Sequence, residues 1–308
     1  MSKPSPISYL INGLKGLFIG VANAIPGVSG GTIAVITGIY EPLIAAFGAI
    51  GDGIASIFTK DRSWREKITS ALPILIPVVL GLAVGLVGFA NVIETLSERF
   101  PMQTQFLFIG LILGSLPYLI KQTGKTEFRW TYLIPLILGT GLLVWMAIIN
   151  FQMGSRDSLI AAQEVIRTVT PMNAVILIFV GMIAVGTMVI PGVSGSFLML
   201  LIGMYATFIK MFTEGNLPVI ALFMVGALLG LLIVSKIIAW LLERFHGHAY
   251  FGIVGLVLGS AAVLWPGFSF DAEGWISILA FAVGFASAFF LGTDRKEAFR
   301  GVKEGGVE

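Results

Sequence analysis

Long apolar runs separated by short polar segments make up most of this chain. Most of the runs are about 18 to 22 residues long, which is the length that a helix needs to cross the hydrocarbon core of a bilayer. The apolar segments fall at 8–25, 29–50, 71–93, 104–121, 130–150, 173–190, 194–212, 218–241, 250–265 and 274–292. The pattern therefore predicts an all-α integral membrane protein.

The composition agrees with this pattern. Of the 308 residues, 56% are hydrophobic and only 12% are charged, whereas soluble domains carry about 25% charged residues. The chain has no cysteine, which excludes disulfide bonds and thiolate metal sites. We expect no cleaved signal peptide, because the first apolar run lacks a small-residue cleavage site. We predict no cofactor, no metal site and no nucleic-acid partner, and the sequence specifies no oligomeric state.

Two parts of the chain repeat one another. The run from Pro26 to Gly30 (PGVSG) returns 165 residues later, from Pro191 to Gly195. Downstream the offset becomes 145 residues, as in the match between Gly81 and Gly226. The difference is explained by a longer polar loop that we predict in the first copy, around 51–69. Many matches in one order with one gap indicate two copies of a single unit.

Each copy is predicted to hold a helical hairpin interrupted by the Pro-Gly motif, which is either re-entrant or made of two full spans, and three transmembrane helices. A hairpin that returns to its own face leaves an odd number of crossings per copy, so the two repeats have inverted topology. Lys and Arg crowd the loops on one side of this arrangement, which predicts that both termini are cytoplasmic. The predicted units are a first repeat at 1–150, a periplasmic loop at 151–172, a second repeat at 173–294 and a polar tail at 295–308.

The repeated motif suits an anion site. Proline fixes φ and has no N–H, so Pro26 and Pro191 fit breaks between helices, while the glycines leave backbone N–H groups uncovered. Ser29 or Thr32 can cap the following helix, whose positive end then faces the ligand. The predicted substrate-binding residues are Gly27, Val28, Ser29, Gly30, Gly31, Thr32, Gly192, Val193, Ser194, Gly195 and Ser196. Such breaks also serve close helix packing, and that interpretation stays open.

Four charged residues are further candidates. Lys15 and Glu41 lie roughly 16 to 18 Å along a helix from the first break, which predicts positions near the cytoplasmic interface. They form either an interfacial ion pair or a gate or coupling site, and Glu41 corresponds to Ala206 in the second copy. Arg99 and Arg244 occupy equivalent loop positions on opposite faces, where they anchor the helix ends or recruit an anionic head group.

The run GLFIGVANAIPGVSGGTIAVITGIYEPLI, from Gly16 to Ile44, closely resembles the opening of the bacterial polyprenyl-phosphate transporters, the PopT family. The second motif, VIPGVSGSFLMLLIGMY from Val189 to Tyr205, is similar to the same family, and the resemblance covers nearly the whole chain. It implies a multi-pass protein of the bacterial plasma membrane that binds polyprenyl phosphate. It also implies movement of undecaprenyl phosphate from the outer to the inner leaflet, for reuse in cell-envelope synthesis.

Two other functions stay open. An ion-coupled transporter of small anions or solutes would use the same helix ends. Integral undecaprenyl-pyrophosphate phosphatases carry a similar Pro-Gly-x-Ser-Arg-Ser loop, but here Gly30 and Gly195 stand in place of the arginine. Without that cation, phosphoryl chemistry lacks its main electrostatic support, so we predict a transporter and not an enzyme. Inward movement of a negative head group predicts coupling to a proton or a sodium ion, with Glu41 and Lys15 as the candidates.

Overall fold

The computed structural model describes residues 6–23, 29–123, 128–152 and 160–293, and the regular structure in these ranges is helical. A single 3₁₀ turn at Trp130–Tyr132 precedes α6. The helices are α1 (Pro6–Asn23), α2 (Gly30–Ile36), α3 (Tyr40–Phe58), α4 (Trp64–Arg99), α5 (Pro101–Thr123), α6 (Leu133–Gln152), α7 (Pro171–Met188), α8 (Gly195–Leu201), α9 (Tyr205–Thr213), α10 (Leu217–Arg244), α11 (His246–Val263) and α12 (Ala272–Thr293).

Eight of these helices are long and apolar enough to cross a membrane: α3, α4, α5, α6, α7, α10, α11 and α12. The short helices α8 and α9 meet at 112° and raise the number to nine if they form one broken span. The prediction of an all-α, multi-pass membrane protein is therefore confirmed. All six helices predicted as ordinary spans are among the eight.

The second apolar segment of each copy is broken, where the sequence predicted one continuous segment. Gly38 separates α2 from α3 with φ +63°, and Gly203 separates α8 from α9 with φ +73°. These positive φ values favour glycine. The Ile39 N–H donates to the Ala34 carbonyl at 3.0 Å, as the equivalent Met204 N–H donates to Met199 at 2.8 Å. This pairing closes the carbonyl end of each short helix.

The polar loop predicted at 51–69 is mostly helical, so that prediction was wrong. Helix α3 continues to Phe58 and α4 begins at Trp64. The polar side chains within it have partners: the Ser56 hydroxyl donates to the Asp52 carbonyl at 2.7 Å, and the Asp52 carboxylate pairs with Lys236 on α10. Satisfied in this way, the polar residues do not terminate the helix.

Glycines let the helices of one copy pack backbone against backbone. A Cβ atom at Gly81 on α4 would overlap the Gly13 carbonyl on α1, and one at Gly226 on α10 would overlap the Ile178 carbonyl on α7. Both members of the second pair are the repeat equivalents of the first, at offsets of 145 and 165 residues. The two copies therefore make the same close contact between their first long helices.

The last helices are paired between the copies. A Cβ atom at Gly110 on α5 would overlap the Phe281 carbonyl on α12, and the equivalent Gly255 on α11 would overlap the Leu136 carbonyl on α6. Each copy thus contributes one helix to each of two mixed pairs, α5 with α12 and α6 with α11.

Aromatic contacts give the relative direction of α5 and α11. Phe106 at the start of α5 lies 5.4 Å, between ring centroids, from Trp265 just beyond the end of α11. Tyr132, which follows the end of α5, lies 4.7 Å from His248 in the first turn of α11. The two helices are repeat equivalents, and they run in opposite directions.

A segment without a counterpart in the described part of the first copy covers the bend between α8 and α9. The Gln163 side chain donates to the Leu200 carbonyl at 3.2 Å and accepts from the Ala206 N–H at 2.9 Å. Arg167 forms a two-pronged ion pair with Glu214, and these hydrogen bonds hold the pKa of the Glu214 carboxyl below its ordinary value. The polar backbone exposed by the bend is therefore satisfied from within the protein.

Substitution of Gly81 by alanine tests the backbone contact between α1 and α4. The new methyl group has no space, and overpacking typically costs about 1–3 kcal/mol, so we expect a lower unfolding temperature in detergent, followed by tryptophan fluorescence. Gly88→Ala on the same helix is the matched control, because no atom lies within 4 Å of its added Cβ. An equally destabilised Gly88→Ala protein would show that helix geometry, and not the contact, is responsible.

Candidate functional site at the two helix breaks

The second break, between α7 and α8, is packed against two helices of the core. Gly192 has φ +79°, and a Cβ atom there would lie 2.5 Å from a methyl group of Leu143 on α6 and 2.8 Å from the Leu256 carbonyl on α11. Both the positive φ and the lack of space require glycine. The PGVSG motif therefore provides close packing, as the alternative interpretation proposed, in addition to any role in binding.

The first break contacts the second. Two of its predicted site residues, Gly27 and Val28, lie outside the described residues. Gly31, in the first turn of α2, faces the backbone of the second break, where a Cβ atom would lie 3.0 Å from the Met188 carbonyl oxygen and 3.3 Å from that of Val189. The structure thus brings the start of α2 against the end of α7, which are 157 residues apart in sequence (188 − 31).

Two hydroxyl groups at this contact are buried without a hydrogen-bond partner. Ser29 is 5% exposed and Thr32 is fully buried, and neither Oγ of Ser29 nor Oγ1 of Thr32 has a hydrogen-bond partner among the residues that the structure describes. Leaving such a group unpaired costs about 1–3 kcal/mol, and the large majority of buried polar groups avoid that cost. The pair therefore marks a place where a polar ligand atom would be stabilised.

The predicted caps are not formed by these hydroxyls. Ser29 and Ser194 occupy the N-cap positions of α2 and α8, but neither makes a side-chain cap bond. Instead, the Gly30 N–H donates to the Asn23 side-chain carbonyl at 3.1 Å, and the Ser194 and Ser196 hydroxyls bond to each other at 2.9 Å. Asn23, at the end of α1, acts as the cap because its side chain is long enough to reach the Gly30 N–H across the break.

Sequence reasoning missed Asn23. Its counterpart in the second copy is Met188, whose side chain packs beside Gly195 without offering a polar atom. The repeat therefore drew no attention to Asn23. A signal was nevertheless present, because an Asn three residues before Pro26 is a polar residue in an otherwise apolar run.

Several of the N–H groups predicted to be uncovered have partners. Besides the Gly30 N–H, the Thr32 N–H donates to the Ser29 carbonyl at 3.0 Å, and the Val193 N–H donates to the Ile190 carbonyl at 3.2 Å. In addition, α2 and α8 have only seven residues each, so few peptide dipoles add up at their N-termini. The prediction of a site built on bare amides is therefore wrong for these three positions, and the unpaired hydroxyls carry more weight.

The four charged candidates are not among the residues whose contacts at the breaks are described above. Glu41 is exposed in the first turn of α3, and it takes no part in the ion pairs found among the described residues. Lys15 is half-buried beside Gly16, which packs on Val78 in the apolar part of α4. Arg99 and Arg244 are exposed at the ends of α4 and α10. Their roles stay predictions.

Comparison with known proteins gives the family. Residues 19–291 match the undecaprenyl phosphate translocase-like family. The chain belongs to this family. Two relatives of this chain are named polyprenyl-phosphate transporters. One, from Staphylococcus aureus, is 33% identical over 92% of this chain and 95% of its own length. The other, from Vibrio cholerae, is 30% identical over 84% of this chain and 79% of its own length. No solved structure matches the chain.

The family match confirms the resemblance seen in the Gly16–Ile44 and Val189–Tyr205 segments. The match spans both helix breaks, so the contact between Gly31 and the Val189 region lies inside the matched part of this chain. The match does not assign roles to single residues.

Replacement of Thr32 by valine tests whether the orphan hydroxyl serves folding. Valine has nearly the same shape and removes the unpaired group, so we expect an unfolding temperature without ligand that is unchanged or raised. Thr207→Val is the matched control: Thr207 is also buried, but its hydroxyl accepts from the Ile166 N–H at 3.1 Å. We expect this control to lose about 1–3 kcal/mol of unfolding free energy. A similar loss in Thr32→Val would mean that its hydroxyl has a structural partner.

Proposed function

We propose that this protein transports polyprenyl phosphate across the bacterial plasma membrane, from the outer to the inner leaflet. The lipid re-enters cell-envelope synthesis on the cytoplasmic side. The protein acts as a transporter and not as an enzyme. Its family and its two named relatives support this substrate, and its eight apolar helices support a membrane location.

The observation that carries the proposal is the pair of buried, unpaired hydroxyls at Ser29 and Thr32. They adjoin Gly31, at the point where α2 touches the second break. Hydroxyl groups donate hydrogen bonds to phosphate oxygens, and such bonds to a charged group are stronger than those between neutral groups. We place the phosphate head group there, with Gly27, Val28, Ser29, Gly30, Gly31 and Thr32 on one side and Gly192, Val193, Ser194, Gly195 and Ser196 on the other. The polyprenyl tail stays in the lipid.

The transport step follows from an inverted repeat. The opposite directions of α5 and α11, which are repeat equivalents, support this topology. The equal contacts of α1 with α4 and of α7 with α10 support two similar units. In our proposal the units at 1–150 and 173–294 rock against each other about the site, which opens it first to one face and then to the other. Both termini then lie in the cytoplasm.

Direction requires a source of free energy. Moving a negative charge into a negative interior costs about 2.3 kcal/mol per charge per 100 mV. A proton or a sodium ion carried with the lipid offsets this cost, as does consumption of the lipid inside. We assign the coupling or gating role to Glu41 and Lys15, and recruitment of the head group at the two faces to Arg99 and Arg244.

Removal of the hydroxyls tests the site. The double variant Ser29→Ala/Thr32→Val should move fluorescently labelled undecaprenyl phosphate between the leaflets of reconstituted liposomes at least about tenfold more slowly, because each lost bond to a charged group is worth about 1.5–3 kcal/mol. Ser287→Ala is the control: its hydroxyl is exposed and bonded to the Val283 carbonyl, so the rate should match wild type.

The same liposomes separate the proposed function from its rivals. Release of inorganic phosphate from undecaprenyl pyrophosphate would indicate a phosphatase. Uptake of a soluble anion without leaflet exchange of lipid would indicate a solute transporter. Leaflet exchange at the wild-type rate in the double variant would remove the hydroxyls from the site but leave the function in place.

Coupling through Glu41 is tested by its neutral analogue. We expect Glu41→Gln to make lipid movement independent of an imposed pH gradient, because glutamine cannot carry a proton. Glu164→Gln is the control, since this carboxylate lies in the segment that covers α9. If Glu41→Gln responds to the gradient as wild type does, the coupling role of Glu41 is dropped.

A further inference from the structure

A third buried hydroxyl, on α10, has the same unusual property as Ser29 and Thr32. Ten serine and threonine residues are buried in the described part of the chain. Seven of these hydroxyls have hydrogen-bond partners, and the three without one belong to Ser29, Thr32 and Ser235. Ser235 is fully buried, and sequence analysis gave no reason to single it out.

Ser235 lacks a bond that other buried serines in these helices make. The hydroxyls of Ser115, Ser260 and Ser277 donate to a carbonyl three or four residues earlier, at 2.7 to 2.8 Å. This bond within the helix is available to any helical serine. Ser235 does not make it, and because its hydroxyl has no other partner among the described residues, it is available to another acceptor.

The packing of α7 on α10 places Ser235 beside the second break. A Cβ atom at Gly186 would lie 3.0 Å from a methyl group of Val234, the residue before Ser235. Met188, two residues beyond Gly186, is the residue whose carbonyl faces Gly31. The register therefore puts Ser235 within about one helical turn of the level at which α2 meets the end of α7.

The face of α10 that carries Ser235 is turned toward the same core as α2. Leu231 and Ile238 lie one turn before and after it on that face. Both pack against the central cluster of buried residues that includes Ile33 on α2 and Val189 in the second break. Ser235 therefore lies on the face of α10 that packs on the buried cluster to which Ile33 and Val189 belong.

We infer that Ser235 is a third binding residue of the head-group site, where its hydroxyl donates to an oxygen of a phosphate monoester. The identity of the lipid in this inference rests on the proposed function, whereas the binding of a phosphate group by the hydroxyl does not depend on it. The ligand is the phosphate group of a lipid or free phosphate, since both present the same acceptor oxygens. Ser235 corresponds to Ala90 in the first copy, so the donor comes from the second copy alone.

The test compares Ser235→Ala with Ser277→Ala in the full-length protein. Both serines are fully buried, but the Ser277 hydroxyl is bonded to the Glu273 carbonyl at 2.8 Å. The unfolding temperature in detergent is measured alone, with undecaprenyl phosphate and with inorganic phosphate. We expect Ser235→Ala without ligand to be as stable as wild type or more stable. We expect the increase in unfolding temperature caused by the phosphate ligand to fall by at least about half, with binding weakened about tenfold or more.

The two ligands identify the source of the phosphate. A response to undecaprenyl phosphate that is lost in Ser235→Ala supports a lipid head group, and a response to inorganic phosphate that is lost in the same way supports a site for the free ion. Ser277→Ala should respond as wild type does. Ser235→Cys keeps the size of serine with a weak donor, and it should show the same loss if the alanine variant does not fold.

The outcomes separate this inference from the proposed function. Ser235 has no binding role if Ser235→Ala responds to both ligands as wild type does, or if wild type responds to neither. Normal leaflet exchange by Ser235→Ala, together with slow exchange by Ser29→Ala/Thr32→Val, would overturn the inference and leave the function standing. If wild type moves no lipid but its response to inorganic phosphate depends on Ser235, the inference stands and the proposed function fails.

Discussion

In a chain that lies mostly in hydrocarbon, a polar group without a partner is costly, and the structure is organised around that cost. No water is available at such depth to satisfy a backbone or side-chain group. At the bends at Gly38 and Gly203, backbone N–H groups donate to carbonyls of α2 and α8. At the start of α2, the Asn23 side chain accepts a hydrogen bond from the Gly30 N–H. Against this background, the hydroxyls of Ser29, Thr32 and Ser235, which have no partner among the described residues, are places where a ligand or a water molecule would be stabilised.

The length of the apolar runs was sufficient to predict the six ordinary spans, because run length reflects the length of a span directly. The repeat seen in the sequence is matched by the packing, since Gly81 and Gly226 approach equivalent carbonyls. The bend at Gly38 was not foreseen, because a single glycine in an apolar run does not distinguish a continuous helix from a broken one. The hydrogen bonding at the two breaks was predicted wrongly for the N–H groups of Gly30, Thr32 and Val193. Whether an N–H or a hydroxyl is bonded depends on side chains such as Asn23, which arrive from another helix.

The two copies share their architecture but not the chemistry of the site. Thr32 corresponds to Phe197, Asn23 to Met188 and Ser235 to Ala90. The Ser194 hydroxyl, which corresponds to that of Ser29, is bonded to Ser196. The repeat therefore supplies a symmetric framework for an asymmetric set of orphan hydroxyls, two from the first copy and one from the second. In the proposed mechanism the head group is held by α2 and α10, and the second break acts as a packed surface against it.

In the proposed mechanism, a site made of hydroxyl groups also suits a ligand that is bound and then released. A buried cation would bind phosphate strongly, but it would carry a large desolvation cost of its own whenever the site is empty. Neutral hydroxyls cost less when they are unpaired and still form hydrogen bonds with a charged ligand. Positions 30 and 195 hold glycine and not arginine, and this difference has two consequences. In the proposed mechanism, phosphoryl chemistry lacks its stabilising charge, and the bound lipid phosphate can be released on the opposite face.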